Sequence, residues 1–277
     1  MSFLPKRIRE KNRVVAVKSE ILLGIHSVRE AVLAGRRRVN EFLFDRRHTG
    51  PRLGELKSVA ENRNIPIKNV SSGHLAGLTA SDHHQGVAAR VSPYPYSGLD
   101  EILSISGKEG HPAFLLLLDS MVDPHNLGAI LRTALCAGVD GVVIPKDRSA
   151  AATADVSRIS AGALEHIRLA RVTNLVRTVE NLKRKGLWIV GLSGGGAEDF
   201  YGLDLSVPLA LVVGGEQKGL RLLLARHCDF LAAIPMAGPL DSLNASAAAA
   251  VALYEVRRQR GKPSGGAKIE LRDSGIQ

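Results

Sequence analysis

The strongest constraint on the fold is a series of short, almost wholly apolar segments between residues 113 and 236. The predicted strands are 113–119, 141–145, 167–172, 187–193, 209–215 and 231–236. Segments of helical period accompany them, and the predicted helices are 126–137, 156–165, 174–185, 219–228 and 242–258. Strands that are apolar throughout are typical of a parallel sheet covered by helices on both faces. The sequence therefore predicts an α/β fold whose ligands gather at the carboxyl ends of the strands.

A smaller α/β unit is predicted before this sheet, at residues 21–92. Ser27 precedes an apolar helical pattern, Glu30 follows it by three positions and Gly35 ends the pattern, so we expect a helix at 28–34 that Ser27 caps. The other predicted elements of this unit are strands at 39–45, 65–68 and 86–92 and a helix at 53–62. Residues 93–112 contain several prolines and glycines, and we interpret them as a linker to the larger domain at 113–260.

The net charge of +10 is concentrated at the two ends of the chain. Residues 1–20 hold six Lys and Arg against two Glu, and residues 257–277 hold six against two acids. Each end therefore carries +4, and the stretch between them only +2. This pattern predicts a basic flexible arm at 1–20 and a disordered basic tail at 261–277, both suited to nucleic acid.

Two basic clusters, Arg36 to Arg38 and Arg46 to His48, fall in predicted loops of the smaller unit. Side chains in such loops can reach a phosphate backbone without disturbing the core, although a solvated surface explains them nearly as well.

Several protein classes do not fit the composition. No segment approaches the roughly 20 apolar residues that a membrane-spanning helix needs, and residues 1–13 lack the apolar core of a secretory signal, so we expect a cytoplasmic protein. Cys136 and Cys228 lie in separate apolar patterns and are expected to be buried free thiols. The pair His83 and His84 lacks further residues at metal-site spacing, so no metal is expected.

Three loops at predicted strand ends combine glycine with polar residues: 123–134, 214–220 and 234–246. Glycine permits a close approach of the backbone to a ligand. None of the loops contains GxGxxG, GxxxxGK[ST] or GxSxG, which argues against a dehydrogenase, an NTPase and an α/β hydrolase.

The helix at 126–137 is expected to place its polar residues in distinct positions. Its predicted apolar face consists of Ile130, Leu131, Ala134 and Leu135. Arg132 points away from this face, and Gly128 lies one turn earlier on the same side as Arg132. Simple alternatives remain at this point: Asn126 as a helix N-cap, Arg132 as a solvated charge and Glu216 as a residue of a first helical turn.

Taken in order, the three loops resemble the three motifs of the SPOUT methyltransferases, and among them the SpoU or TrmH group of RNA ribose methylases. The matching residues are Asn126 and Arg132, then Gly214, Glu216 and Gly219, then Ile234, Pro235, Met236, Gly238, Ser242, Leu243 and Asn244. Residues 22–92, with GIHSVREAV and HHQGVAA, resemble the ribosomal-protein-like substrate-binding domain of this group. Residues 144–149, 171–178 and 226–238 resemble the RlmB branch, which methylates a guanosine of large-subunit (23S) ribosomal RNA.

The resemblance implies a C-terminal SPOUT domain with a deep trefoil knot that holds S-adenosylmethionine, a homodimer with the knot at its interface, and RNA as the partner, without a metal. The implied cofactor-binding residues are Gly214, Gly215, Gly219, Ile234, Met236, Gly238 and Leu243. The implied catalytic residues are Arg132, Asn126, Glu216, Ser242 and Asn244, with Arg132 stabilising charge on the ribose oxygen. Pro239, Leu240 and Asp241 depart from the usual pattern, which leaves the exact RNA target open.

Alternatives from other classes remain. In a non-catalytic RNA-binding module the three loops would be structural and S-adenosylmethionine would not bind. A nucleotide-dependent enzyme on an open α/β sheet would need a phosphate-binding glycine loop after the first strand. Among methyltransferases, transfer RNA is the alternative substrate to ribosomal RNA.

Overall fold

The computed structural model describes residues 19–79, 84–215 and 219–261, and these residues form two sheets. The predicted basic arm and basic tail lie outside the described residues, apart from Ser19, Glu20 and Gly261. Across the described part of the chain, no helix is long and apolar enough to cross a membrane.

The first sheet has four strands, β1 (Glu20–Leu23), β2 (Val39–Asp45), β3 (Ile67–Val70) and β4 (Val87–Val91). Their order is β1-β4-β2-β3, with β2 and β3 parallel and the other pairs antiparallel. Three helices accompany the sheet: α1 (Ile25–Ala34), α2 (Pro51–Asn62) and α3 (Ser72–Thr79). Phe42 and Phe44 of β2 face a core shared with α1 and α2, whereas Leu43 faces the other side. The sequence pattern missed β1 and α3 and placed β3 two residues early.

The predicted cap of the first helix is wrong. Helix α1 begins at Ile25, directly after Gly24, whose φ of 83° turns the chain as few other residues could. Ser27 is buried inside the helix, and the Gln85 side chain, not Ser27, serves the first turn by accepting from the Ile25 N–H at 3.0 Å. The helix ends as predicted at Gly35, which adopts the left-handed conformation.

Seven parallel strands form the second sheet: β5 (Phe114–Asp119), β6 (Gly141–Pro145), β7 (Leu169–Val172), β8 (Trp188–Leu192), β9 (Glu198–Asp199), β10 (Leu209–Gly214) and β11 (Phe230–Ala233). Their order across the sheet is β7-β6-β5-β10-β8-β11-β9. The α/β fold with a parallel sheet is confirmed. Strand order does not describe how the chain passes through its own loops, so the trefoil knot stays a prediction.

Helices cover both faces of the second sheet: α4 (Leu99–Glu109), α5 (Pro124–Ala137), α6 (Ala154–Ile159), α7 (Ala163–His166), α8 (Leu175–Arg184), α9 (Leu222–Ala225) and α10 (Ala245–Arg260). A short 3₁₀ helix occupies Phe200–Gly202. Leu116 of β5 belongs to the core under α5 and α10, and its neighbour Leu117 to the core under α4 and α8. This alternation explains why β5 is apolar throughout.

Three local predictions differ from the structure. The helix predicted at 156–165 is two short helices, because Ala161 and Gly162 have φ values of 52° and 85° and break it. The helix predicted at 219–228 is reduced to the single turn of α9. The stretch predicted as a linker, 93–112, contains helix α4.

The two sheets are joined through α1, which packs on α6 and α7. Gly162 lies so close to α1 that a Cβ there would be 2.6 Å from Cβ of Glu30. His166 Nε2 lies 2.7 Å from a Glu30 carboxylate oxygen across the same contact.

The first basic cluster contributes to this junction. Arg37 Nε lies 2.9 Å from Glu165 Oε2, and the side chains are 0% and 1% exposed. Arg36 donates to the backbone oxygen of Ile167, and only Arg38 of the three arginines is exposed. Arg37 is therefore buried and Arg36 is partly buried in contacts with the protein itself, whereas the sequence pattern placed both in loops that could contact phosphates. The pattern of charges could not reveal the buried carboxylate of Glu165, which is 128 residues away.

We predict that Arg37→Ala lowers the free energy of unfolding by about 3–5 kcal/mol, because it leaves the Glu165 carboxyl group buried without its partner. Burial already raises the pKa of Glu165, against the opposing effect of the Arg37 guanidinium. Arg38→Ala is the matched control and should change stability by less than about 0.5 kcal/mol. Urea unfolding followed by circular dichroism measures both, and equal midpoints for the two variants would contradict the prediction.

Candidate active site

A cavity of about 480 Å³ lies at the carboxyl ends of β8, β10 and β11. Three loops form its wall, and each follows one of these strands. Its volume is in the range typical of small-molecule sites. The position agrees with the rule that parallel sheets bind ligands at the carboxyl ends of their strands.

Beside the cavity, backbone packs directly against backbone. A Cβ on Gly214 would lie 2.1 Å from the carbonyl carbon of Gly219, and one on Gly215 would lie 2.5 Å from the carbonyl oxygen of Ser120. Gly219 has a φ of 58° and donates its N–H to the carbonyl oxygen of Gly215 at 2.9 Å. Any side chain at 214 or 215 would push the main chains apart, so this loop requires glycine.

An ion pair fixes the same loop to the end of β5. Arg221 Nη2 lies 2.7 Å from Asp119 Oδ1, and the Arg221 backbone N–H donates to Asp119 Oδ2 at 3.0 Å. The Asp119 side chain is fully buried. Charge-assisted hydrogen bonds to a buried carboxylate are strong and directional, so they position the loop that ends at Arg221.

Two asparagines meet where α5 and α10 begin. Asn244 Oδ1 accepts from the N–H of Ser246 at 2.8 Å and so caps α10, while Asn244 Nδ2 donates to Asn126 Oδ1 at 3.3 Å. Asn126 does not cap its own helix, because Asp123 does so by accepting from His125 N–H. Asn126 Nδ2 instead donates to Asp123 Oδ2 at 3.1 Å. The hydrogen bond between Asn126 and Asn244 thereby joins the loops 123–134 and 234–246 at the cavity wall.

Arg132 lies on the exposed side of α5, outside the wall of the cavity. Within the described part of the chain, its guanidinium makes no hydrogen bond or ion pair. The exposure of Arg132 agrees with the prediction from the helical pattern. Gly128, which was expected on the same side of the helix, is not exposed. Gly128 is buried, and a Cβ there would lie 2.6 Å from Ile159 Cγ2. Its lack of a side chain thus serves the packing of α5 on α6.

The structure brings many of the sequence candidates to the cavity. Its wall includes Gly214, Gly215, Gly219, Ile234, Met236, Ser242, Leu243 and Asn244. Gly238, Arg132 and Asn126 are not part of it, although Asn126 is hydrogen-bonded to Asn244, which is. Glu216 lies outside the described residues.

Some residues of the wall were missed from the sequence. Ser193 and Gly194 follow β8, where a run of three glycines at 194–196 after an apolar strand was the available signal. Asp241, noted only as a departure from the motif, lines the cavity, and its carboxylate accepts from the Ser242 hydroxyl at 3.1 Å. No sequence signal linked Asp119 to Arg221, which are 102 residues apart.

The cysteine prediction is half right. Both thiols are free, but Cys136 is exposed on the same outer side of α5 as Arg132. Cys228 is partly buried, and burial raises the pKa of its thiol to about 11.

Of the histidine pair, His83 lies outside the described residues, while His84 is buried and hydrogen-bonded to the Ser72 hydroxyl. Among the described residues, no group of three or more His, Cys, Asp or Glu side chains could hold a metal ion.

Comparison with known proteins agrees with this geometry. The SpoU rRNA Methylase family matches residues 113–254, and the family described as RNA 2'-O ribose methyltransferase substrate binding matches residues 21–97. A protein of Staphylococcus saprophyticus assigned to the TrmH family of tRNA/rRNA methyltransferases is 41% identical over 240 residues, which are 87% of this chain and 96% of that protein.

Two solved structures are similar over both domains. The SpoU methyltransferase AviRb from Streptomyces viridochromogenes, in complex with the cofactor AdoMet, has a TM-score of 0.74 at 27% identity, covering 87% of this chain and 90% of its own. An AdoMet-bound rRNA methyltransferase from Sinorhizobium meliloti has a TM-score of 0.72 at 27% identity, covering 88% of each chain. With its family match over the second sheet and the glycine loops at that sheet's carboxyl edge, this chain belongs to the SpoU rRNA methylase family.

Proposed function

We propose that this protein transfers a methyl group from S-adenosylmethionine to the ribose 2′-hydroxyl of a guanosine in large-subunit ribosomal RNA. The observation that carries the proposal is the cavity at the ends of β8, β10 and β11, where loops 214–219 and 234–244 meet. The substrate-binding family match at residues 21–97 supports ribose as the acceptor. The stretches 144–149, 171–178 and 226–238 favour ribosomal RNA.

The cavity fits the cofactor in size and in chemistry. Gly214, Gly215 and Gly219 line the cavity without side chains, so a ligand there meets backbone N–H and C=O groups that can bind an adenine ring or an amino-acid group. Ile234, Met236 and Leu243 add apolar surface. S-adenosylmethionine supplies a methyl group already activated by its sulfonium, so these residues need only bind and orient it.

Arg132 acts on the acceptor side of the reaction. A guanidinium stays protonated at every physiological pH and stabilises the negative charge that develops on the ribose oxygen, while its planar fork can also bind the adjacent phosphate. Asn126, Ser242, Asn244 and Glu216 orient the groups around it.

The location of Arg132 outside its own cavity supports a site shared by two copies of the chain. Helices α5 and α10 start together at the Asn126 and Asn244 contact, so residues nine or ten positions further along each lie at similar heights. There Leu135 is 36% exposed and Tyr254 is 52% exposed. A second copy that covers this apolar face would bring its own Arg132 to the cavity of the first.

We predict that the protein incubated with tritiated S-adenosylmethionine and unmodified large-subunit ribosomal RNA puts label into alkali-resistant dinucleotides, because a 2′-O-methyl group blocks alkaline cleavage. Gly214→Ala should abolish cofactor binding and transfer, since the new Cβ would clash with the backbone of Gly219. Gly202→Ala is the control, because nothing lies within 4 Å of a Cβ there. Label in alkali-sensitive products, or preferential transfer to transfer RNA, would contradict the proposed reaction or its proposed substrate, respectively.

We also predict that Arg132→Ala slows single-turnover methyl transfer by roughly 100-fold or more, equivalent to about 3 kcal/mol, while cofactor affinity stays unchanged. Because Arg132 is exposed, the substitution should lower the free energy of unfolding by less than about 0.5 kcal/mol. Arg132→Lys should remain slow, because an ammonium lacks the planar fork. Arg168→Ala, which removes an exposed arginine before β7 at the opposite edge of the sheet, is the control and should transfer normally.

Mixing the two inactive variants tests the shared site. In a dimer of one Arg132→Ala chain and one Gly214→Ala chain, the first chain keeps an intact cavity and the second supplies the arginine. Activity should therefore return on mixing and refolding the two variants together. A mixture as inactive as its components would show that Arg132 does not act across the dimer.

A further inference from the structure

Two sequence motifs that the cofactor cavity does not use come together at the same edge of the sheet. The stretch 144–149 follows β6, and the stretch 171–178 spans the end of β7 and the start of α8. Because β6 and β7 are parallel neighbours, their carboxyl ends adjoin. A groove of about 490 Å³ lies there, lined by Lys146 of the first stretch and by most of the second, with residues of α8 beyond it.

The groove is strongly basic. Its walls carry Lys146, Arg171, Arg177 and Arg184, together with the uncharged polar residues Thr173, Asn174, Thr178 and Asn181. None of the described residues that line it is an Asp or a Glu. Four cations that share one groove without a carboxylate repel one another, so an anionic ligand would lower their free energy.

The surrounding surface pairs its charges, in contrast to the groove. Lys183 of α8 pairs with Asp229, with Nζ 2.6 Å from Oδ1. Lys185, directly after α8, pairs with Asp100, with Nζ 3.2 Å from Oδ1. Lys146 and Arg177 have no such ion pair within the described residues. Arg171 is held in place, since its Nη2 donates to the Lys146 carbonyl oxygen at 2.9 Å and its guanidinium lies over the Tyr96 ring.

A second hollow of about 350 Å³ extends the groove towards the cofactor cavity. The two hollows share Thr173 and Asn174, and the second adds Arg148 and Arg221 along with one acid, Asp147. Arg221 also binds Asp119 at the end of β5 and terminates the loop of Gly214 and Gly219. Basic side chains therefore follow the edge of the sheet from β7 to the end of β5, where Asp119 pairs with Arg221 beside the β10 loop. Three strand spacings, or roughly 15 Å, separate β7 from β10.

We propose that this strip binds the phosphodiester backbone of the RNA on the nucleotides that flank the methylated ribose. The inference rests on the proposed function, because it names how the catalytic domain holds the same substrate. Lysine, arginine, threonine and asparagine side chains are the usual donors to phosphate oxygens, and such contacts fix position without reading sequence. No aromatic ring lines the described walls of either hollow, so the strip is built for backbone and not for stacked bases.

The test compares Lys146→Ala/Arg177→Ala with wild type in binding to unmodified, in vitro transcribed large-subunit ribosomal RNA across a salt series. Loss of two phosphate contacts should raise Kd by at least about 10-fold and lower the slope of log Kd against log salt by roughly 1.5. KM for RNA should rise, while kcat at saturating RNA, S-adenosylmethionine affinity and the melting temperature stay as in wild type. Lys146→Arg/Arg177→Lys, which keeps both charges, should restore most of the affinity.

Lys108→Ala/Arg168→Ala removes two exposed cations near the amino edge of the same sheet and is the matched control. An unchanged Kd and salt slope in the groove variant, or equal losses in the control, would overturn the inference, as would a fall in cofactor affinity or melting temperature. The two proposals fail separately. A wild type that binds RNA through the groove but transfers no methyl group contradicts only the proposed function, and a methylating enzyme whose groove variant binds normally contradicts only the strip.

Discussion

The close approach of main chain to main chain at the carboxyl edge of the second sheet is the constraint on which the rest of the site depends. Gly214 lies against Gly219, and Gly215 lies against Ser120, with no space for a Cβ at either contact. The β10 loop can therefore pass along the cavity only as glycine backbone. The buried Asp119 and Arg221 pair holds this wall to β5 from behind. Side chains around the wall are left to select and orient the acceptor.

The parallel sheet explains why one edge can carry several tasks. All seven strands end on the same side, so loops far apart in sequence share a surface without any need for a second scaffold. The proposed cofactor site lies at the ends of β8, β10 and β11, and the proposed RNA-binding strip lies at the ends of β5, β6 and β7. The small domain is held to α6 and α7 by the buried pair of Arg37 and Glu165, which fixes its orientation relative to that edge.

Much of this arrangement can be predicted from local sequence because its signals are local. Apolar runs such as 113–119 and 209–215 identify strands of a doubly covered parallel sheet, and Gly35 ends a helix as its conformation requires. The predicted binding residues that line the cavity converge because they follow β10 and β11, parallel strands that only β8 separates in the sheet. The features that differ from the prediction depend on partners distant in the chain. Arg37 pairs with the buried Glu165, and Ile159 fills the space beside Gly128. Ala161 and Gly162 break a helix whose apolar period is otherwise continuous.

A crystal structure of the protein with S-adenosylmethionine would locate the cofactor and a second copy of the chain in one measurement. We expect the ligand in the cavity lined by Gly214, Gly219 and Leu243, and a second chain over α5 and α10 whose Arg132 points towards the methyl group. A ligand bound in another place, such as the groove at β6 and β7, or a monomer with an ordered cofactor and an exposed Tyr254, would contradict this expectation.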